Sequence, residues 1–103
     1  MKVVWTKHAY EAWLEIAQYI SGTFGQRALL DFQKNTLQWE STISTMPEAG
    51  RVEPLLQGMQ KVYRSVVVGR HSKMVYSVEE NVIKIDAFWD TRREPTSQVN
   101  GLQ

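Results

Sequence analysis

The 103 residues, of which 43% are hydrophobic and four are Trp, carry a formal net charge of +1. A chain of this size can bury roughly two-thirds of its unfolded surface, so one compact domain is expected. The absence of cysteine excludes disulfides and thiolate chemistry and is compatible with a reducing compartment. No signal peptide and no apolar run of the ~20 residues that a membrane span needs is visible, so we expect a cytoplasmic protein without a membrane partner.

The first predicted element is a short strand from Lys2 to Trp5. Thr6 is suited to cap a helix, because its hydroxyl can accept a hydrogen bond from a backbone amide of the first turn. From Lys7 to Ser21 apolar residues recur on one stripe of an amphipathic helix, and Gly22 is expected to stop it. The stripe consists of Ala9, Trp13, Ile16 and Ile20.

A second helix is predicted after a short connection from Gly22 to Gly25, and Pro47 ends it by removing a donor and restricting the preceding residue. Two long helices joined by about four residues lie side by side as an antiparallel hairpin. Leu30 and Leu37 lie off the apolar stripe and can form a second surface for a partner. The stripe itself comprises Leu29, Phe32, Thr36, Trp39, Ile43 and Met46.

A surface loop is predicted for Pro47 to Gln60, which has two prolines, two glycines and no clean period. Three runs rich in β-branched and aromatic residues follow between Val62 and Trp89, separated by turn residues at 69–71 and 79–81, and predict a three-stranded antiparallel meander. On its last strand one apolar face is expected, with Lys84 and Asp86 on the other. That apolar face would consist of Ile83, Ile85, Ala87 and Trp89, under the helical hairpin.

The predicted order β-α-α-β-β-β describes an α+β domain in two layers, a helical hairpin packed on an antiparallel sheet. The first strand must join an edge of the sheet, and the connection rules leave open which one. A single domain is expected over residues 1–95, followed by a polar, mobile tail at 96–103.

Basic residues are concentrated around the first hairpin of the meander. The window from Arg51 to Lys73 contains five Lys or Arg residues and Glu53 as its one acid. Such a local surface can attract a polyanion or an acidic partner. The alternative is a solvated rim of charges.

The sequence contains no phosphate-binding loop, no nucleophile elbow and no cluster of metal ligands. We therefore expect no cofactor, no metal and no small-molecule substrate. The histidines are His8 and His71, and His71, in or beside a hairpin turn, is either a polar loop residue or a general base.

A set of basic side chains and one tyrosine remains as the candidate site. Such a set can bind phosphates, can stabilise the transition state for attack by an RNA 2′-hydroxyl without a metal, or can hold a segment of a protein partner. Structural roles are the alternatives. Arg64 would pair with a carboxylate such as Asp90, Arg92 would be anchored by Asp90 or Glu94, and Tyr76 would lie in the core or at its rim. The set comprises Arg51, Lys61, Arg64, Lys73, Tyr76, Arg92 and Arg93.

The segment from Tyr63 to Pro95 resembles the C-terminal half of the RelE/ParE superfamily of toxins from type II toxin–antitoxin (plasmid-stabilisation) systems. Upstream, a strand followed by two helices, the Phe24-Gly25 step and a P-x-x-G-R pattern from Pro47 to Arg51 agree with it. The resemblance covers about residues 2–95. It implies a growth-inhibiting toxin blocked by a cognate antitoxin, which lays an extended or helical segment across the hairpin and the sheet.

Members of this superfamily work in two ways. RelE-like toxins cut mRNA in the ribosomal A site, and matching their pattern makes Arg64, Lys73 and Arg92 the catalytic residues of a metal-independent endoribonuclease. The chain departs from that pattern, because a further basic position falls near Val66 and no tyrosine follows Tyr76.

ParE-like toxins bind and inhibit DNA gyrase and are not enzymes. The chain resembles them in Tyr63-Arg64, Gly69, His71 and Tyr76, although Phe88 to Arg93 replaces their usual Leu-His segment. We therefore favour a ParE-like toxin, with a RelE-like ribosome-dependent ribonuclease and a degenerate, non-toxic antitoxin-binding module as alternatives. The expected binding residues are Arg51, Lys61, Arg64, Arg70, His71, Tyr76, Arg92 and Arg93.

Overall fold

In the computed structural model, which describes residues 1–70 and 72–92, a helical hairpin packs on one face of a five-stranded sheet. The predicted two-layer α+β architecture is confirmed. The elements are β1 (Lys2–Trp5), α1 (Lys7–Phe24), α2 (Gln26–Thr45), β2 (Arg51–Val52), a 3-10 helix (Pro54–Leu56), β3 (Arg64–Val68), β4 (Ser72–Glu79) and β5 (Val82–Asp90).

The strands are arranged in the order β1-β5-β4-β3-β2. β1 lies beside β5, which settles the edge that the sequence left open, and it runs parallel to β5 with Val3 opposite Ile83. The other neighbours are antiparallel. The sheet is therefore mixed, and the prediction of a purely antiparallel sheet was wrong in its first strand.

The first helix extends one turn further than its sequence suggested. Thr6 caps it as predicted, since its side chain accepts a hydrogen bond from the Ala9 amide at 3.0 Å. Gly22 does not stop it, and α1 ends only at Gly25, whose φ of 92° suits glycine and whose N–H donates to the Ser21 carbonyl. Gly25 alone therefore joins the two helices.

The main core lies between the helices and the sheet. It buries Ala9 of the first predicted stripe, while the rest of that stripe packs against it half-buried. It also buries the middle of the second stripe, whereas Met46, at the end of that stripe, is 58% exposed. Leu30 and Leu37, off the stripe, are exposed as expected. The buried members are Ala9, Ala17, Phe32, Ile43, Val66, Val68, Met74, Tyr76, Ile83, Ile85 and Phe88.

A β-bulge at Asp86 divides β5 between the two faces of the sheet. Tyr76 lies opposite Ile85 while Val75 lies opposite Ala87, so Asp86 is the extra residue. Beyond a bulge the alternation of side chains is inverted. Ile83 and Ile85 therefore face the helices, and Phe88 takes the next place there. The prediction that Ala87 and Trp89 share that face was wrong, because period-2 patterning carries no sign of an inserted residue.

The second face of the sheet is covered by the segment that follows β2. Leu56 and Tyr63 from this segment pack with Val75, Ala87 and Trp89 in a small second cluster of buried residues. The part of the chain predicted as a surface loop therefore contains a short strand and a 3-10 helix. Its Leu56 is buried against the sheet, whereas Val52, Leu55 and Met59 stay exposed.

Burial raises the pKa of Asp86, although the Ser77 hydroxyl, which donates to its Oδ2 at 2.6 Å, and the nearby Lys61 and Lys84 act in the opposite direction. The folded chain then holds this proton more tightly than the unfolded chain, so Asp86 costs stability as the pH rises through its folded pKa. We expect Asp86→Asn to raise the thermal unfolding midpoint at neutral pH and to give no gain at a pH well below the carboxylate range. An equal gain at both pH values would show that the charge is not the cause.

Candidate functional site

The expected catalytic residues Arg64 and Lys73 lie on opposite faces of the sheet. Arg64 pairs with Tyr76, whose ring belongs to the main core under the helices. Lys73 pairs with Val67 and lies over the Trp89 ring in the second cluster, with Nζ 5.5 Å from the ring centroid. The two cations therefore do not converge on one phosphate.

Lys73 is engaged in a buried ion pair. Its ammonium group donates to Glu53, whose side chain is fully buried, and the Lys73 side chain is 17% exposed. Glu53 also accepts from the Ser65 hydroxyl at 2.8 Å and from the Leu55 amide at 2.9 Å, which caps the 3-10 helix. Burial alone would raise the pKa of Glu53, but the hydrogen bonds from Lys73, Leu55 and Ser65 together hold it below its usual value. The site is a structural clamp between the covering segment and the sheet.

Tyr76 is a core residue that fixes the loop after α2. It is fully buried, its hydroxyl donates to the Pro47 carbonyl at 2.7 Å and it accepts from the Gly50 amide at 2.9 Å. Burial raises the pKa of Tyr76, against smaller opposing effects of the Gly50 amide and Arg64. Arg64 reaches the same loop, with Nη1 donating to the Gly50 carbonyl at 2.8 Å. The predicted binding role of Tyr76 is thus replaced by a structural one.

Arg92 connects the end of β5 to α1 through contacts with Asp90 and Tyr19. Its guanidinium makes a two-pronged contact with Asp90, with Nε–Oδ1 at 3.0 Å and Nη2–Oδ2 at 2.9 Å. Nη1 donates to the Tyr19 hydroxyl at 2.9 Å, and the guanidinium carbon lies 4.5 Å from the Tyr19 ring centroid. These hydrogen bonds, the ones to Asp90 first, raise the pKa of Arg92. The anchoring by Asp90 is one of the two alternatives that the sequence offered.

The remaining members of the predicted set differ in exposure and pairing. Lys61 forms an ion pair with Glu79 at the surface. Within residues 1–70 and 72–92, the exposed side chains of Arg51 and Arg70 make no hydrogen bond or ion pair. His71, Arg93 and the predicted tail at 96–103 lie outside the described residues.

A groove of about 730 Å³ runs between the helices and the C-terminal end of β5. Phe32, Phe88 and Trp89 contribute aromatic surface to it, and Glu11 and Asp31 line the helical side. Tyr19 and Phe24, both off the helix stripe, are 43% and 62% exposed beside it. This groove was not predicted from the sequence, although the two aromatic residues off the apolar stripe near the end of α1 were a signal for it.

Glu53 is the residue at the centre of the structural clamp, and it was not predicted from the sequence. In the sequence it stands out only as the single acid in the basic window from Arg51 to Lys73. Proline is favoured at the first position of a helical turn, so Pro54 could have suggested that a turn begins directly after Glu53. Nothing in the sequence indicates that its partner would be Lys73 on β4.

No group of three or more His, Asp or Glu residues that could hold a metal occurs in the described part of the chain. None of the helices there has the length and apolar character needed to cross a membrane.

Among solved structures, a chain from the chromosomal ParDE TA system of P. aeruginosa is similar, with a TM-score of 0.68 over 87% of this chain and 95% of that one. The chain has the ParE/RelE-like fold. The sequence identity is 16%, so the likeness concerns the fold alone. No family model and no curated protein matches the sequence.

Within this ParE/RelE-like fold, the basic residues of the meander and of its C-terminal end each bind a different part of the chain. Arg64 holds the loop after α2, Lys73 holds the cover on the second face, and Arg92 holds α1. Among the described members of the set, Arg51 and Arg70 are exposed and make no hydrogen bond or ion pair.

Proposed function

We propose that this chain is the toxin of a type II toxin–antitoxin module, that it inhibits growth by binding DNA gyrase, and that a cognate antitoxin protein neutralises it. The fold likeness to a chain of the ParDE TA system supports the first part. The ParE-like resemblance of the meander supports gyrase as the target. The proposal requires a cytoplasmic location.

The opposite orientation of Arg64 and Lys73 is the observation that most favours a binding protein over a ribonuclease. Metal-independent cleavage of RNA needs preorganised donors around one developing charge. Here Arg64, Lys73 and Arg92 are divided between two faces and bonded to Gly50, Glu53 and Asp90. A toxin that only binds its target does not need these residues to converge.

Two sets of residues are proposed for the two partners, and Arg70 belongs to both because it also lines the groove between the helices and β5. Arg51 and Arg70 are exposed cations suited to a negatively charged or polar site on gyrase. The groove of about 730 Å³, with the exposed rings of Tyr19 and Phe24 beside it, is the surface that we expect the antitoxin to cover. Leu30 and Leu37, exposed on α2, can extend that contact.

A supercoiling assay tests the gyrase proposal. We expect the purified chain to leave relaxed plasmid unresolved or cleaved in the presence of gyrase. Replacing both Arg51 and Arg70 with Ala should weaken inhibition about tenfold, because each removes one unpaired surface cation. Arg27→Ala, at another exposed position, on α2, where the arginine pairs with Asp31, is the control and should leave inhibition unchanged.

Other outcomes would favour the alternatives. Unchanged supercoiling at saturating protein, together with new mRNA 5′ ends that appear only with ribosomes and in phase with codons, would overturn gyrase binding in favour of a RelE-like ribonuclease. Binding of the antitoxin without growth arrest on induction would indicate a degenerate, non-toxic module.

A further inference from the structure

The outer edge of β3 is only partly covered by its neighbour β2. The ladder consists of Arg51 opposite Ser65 and Val52 opposite Arg64. The Glu53 amide continues it by donating to the Tyr63 carbonyl at 2.8 Å. In the other direction the chain turns away, because the Ala49 amide donates back to the Met46 carbonyl. The second half of β3 therefore has no neighbour on this side within the described residues.

The backbone groups of Val67 point towards this open edge. In an antiparallel ladder, successive residues direct their N–H and C=O groups to alternate sides. Tyr63 bonds towards β2, so Ser65 and Val67 direct their groups to the same side. Ser65 meets Arg51 there, whereas Val67 meets no strand among the described residues.

A groove of about 370 Å³ lies along the same edge, and its two sides differ in chemistry. Trp39 and Ala49, which pack against the main core, line the side towards the helices. Arg51 and Lys73 line the other side. Lys73 is already paired with Glu53, so Arg51 is the cation that remains without a partner in the described structure.

The edge also lacks the usual protection against strand addition. Exposed edges are normally blunted by charges, proline or a bulge. The run from Val66 to Val68 contains none of these, and the Val67 side chain is 59% exposed. An apolar edge with unpaired backbone groups is suited to receive another strand.

We propose that this edge binds an extended segment of a protein partner in which acidic and apolar residues alternate, added as a strand beside Val67. Its apolar side chains would lie against Trp39 and Ala49, and its carboxylates would face Arg51. A second copy of this chain fits less well, because pairing two β3 edges brings their basic residues together. The proposal rests on the open edge, its groove and Arg51, which also belongs to the proposed gyrase-binding residues. The peptide titration below contains no gyrase, so its result does not depend on that target.

The experiment is an NMR titration of the full ¹⁵N-labelled chain with a short capped peptide in which Val and Glu alternate. We expect saturable shifts centred on the Val67 amide and slower hydrogen exchange at that amide. A peptide with Lys in place of Glu should bind about fivefold more weakly, as one surface charge contact allows. Arg51→Glu should reverse this preference, and Arg27→Glu should leave it unchanged.

Three results would overturn the proposal. The Val67 amide could stay unshifted at saturating peptide, or the shifts could centre on the groove beside Tyr19 instead. Alternatively, sedimentation could detect a dimer in which Val67 is already protected without peptide, which would make a second copy the occupant.

Discussion

Glu53→Ala is expected to lower the free energy of unfolding by about 3 kcal/mol, because removal of one partner leaves a buried charge without compensation. Glu53 is fully buried and accepts hydrogen bonds from Ser65, Leu55 and Lys73. Without Glu53, the ammonium group of Lys73, whose side chain is only 17% exposed, would have no carboxylate to pair with. Urea unfolding measured by tryptophan fluorescence gives the value.

Two further variants separate the charge from the packing. Glu53→Ala combined with Lys73→Met should recover part of the loss, because the uncompensated cation is then also removed. Glu79→Ala, which breaks the surface ion pair with Lys61, should leave the unfolding free energy nearly unchanged. If Glu53→Ala behaved like Glu79→Ala, the clamp would have no structural importance.

The same clamp predicts a dependence on pH. The pKa of Glu53 lies below its usual value in the folded chain, so its contribution is present above the unfolded pKa and is lost as the pH falls through the folded pKa. The difference in stability between the native chain and Glu53→Ala should therefore shrink on acidification.

The elements of this fold could be predicted because they depend on local patterns. The Thr6 cap, the stripe through Phe32 and Ile43, and the stop before Pro47 are all encoded within a few residues. The exact end of α1 was not, since Gly22 and Gly25 are both acceptable stops and only the backbone angle at Gly25 distinguishes them.

The arrangement of the candidate site could not be predicted because it depends on pairings between distant segments. The bulge at Asp86 determines which face of the sheet Trp89 occupies, and no residue in the sequence indicates that a bulge lies there. The contact of Glu53 with Lys73 joins positions 20 apart in sequence. By contrast, the contact of Arg92 with Asp90 is local, and the sequence offered it as an alternative.

Close packing explains the glycine of the P-x-x-G-R pattern, Gly50, and its substitution is expected to have the second large effect on stability. A Cβ added at Gly50 would lie 2.7 Å from the Tyr76 hydroxyl and 2.9 Å from the Ser65 carbonyl oxygen. The Ser65 carbonyl belongs to β3 and Tyr76 is fully buried, so neither atom can move aside cheaply. Only a residue without a side chain fits between them.

Gly50→Ala is therefore expected to lower the free energy of unfolding by about 2 to 3 kcal/mol through overpacking, and to break the hydrogen bond from the Gly50 amide to Tyr76. Gly22→Ala is the matched control. No described atom outside its own surroundings in α1 lies within 4 Å of a Cβ there, so it should stabilise the chain by up to about 1 kcal/mol through helix propensity. Equal unfolding free energies for the two variants would contradict the close packing of Gly50 against Tyr76, and with it the view that this loop is fixed by the core beneath it.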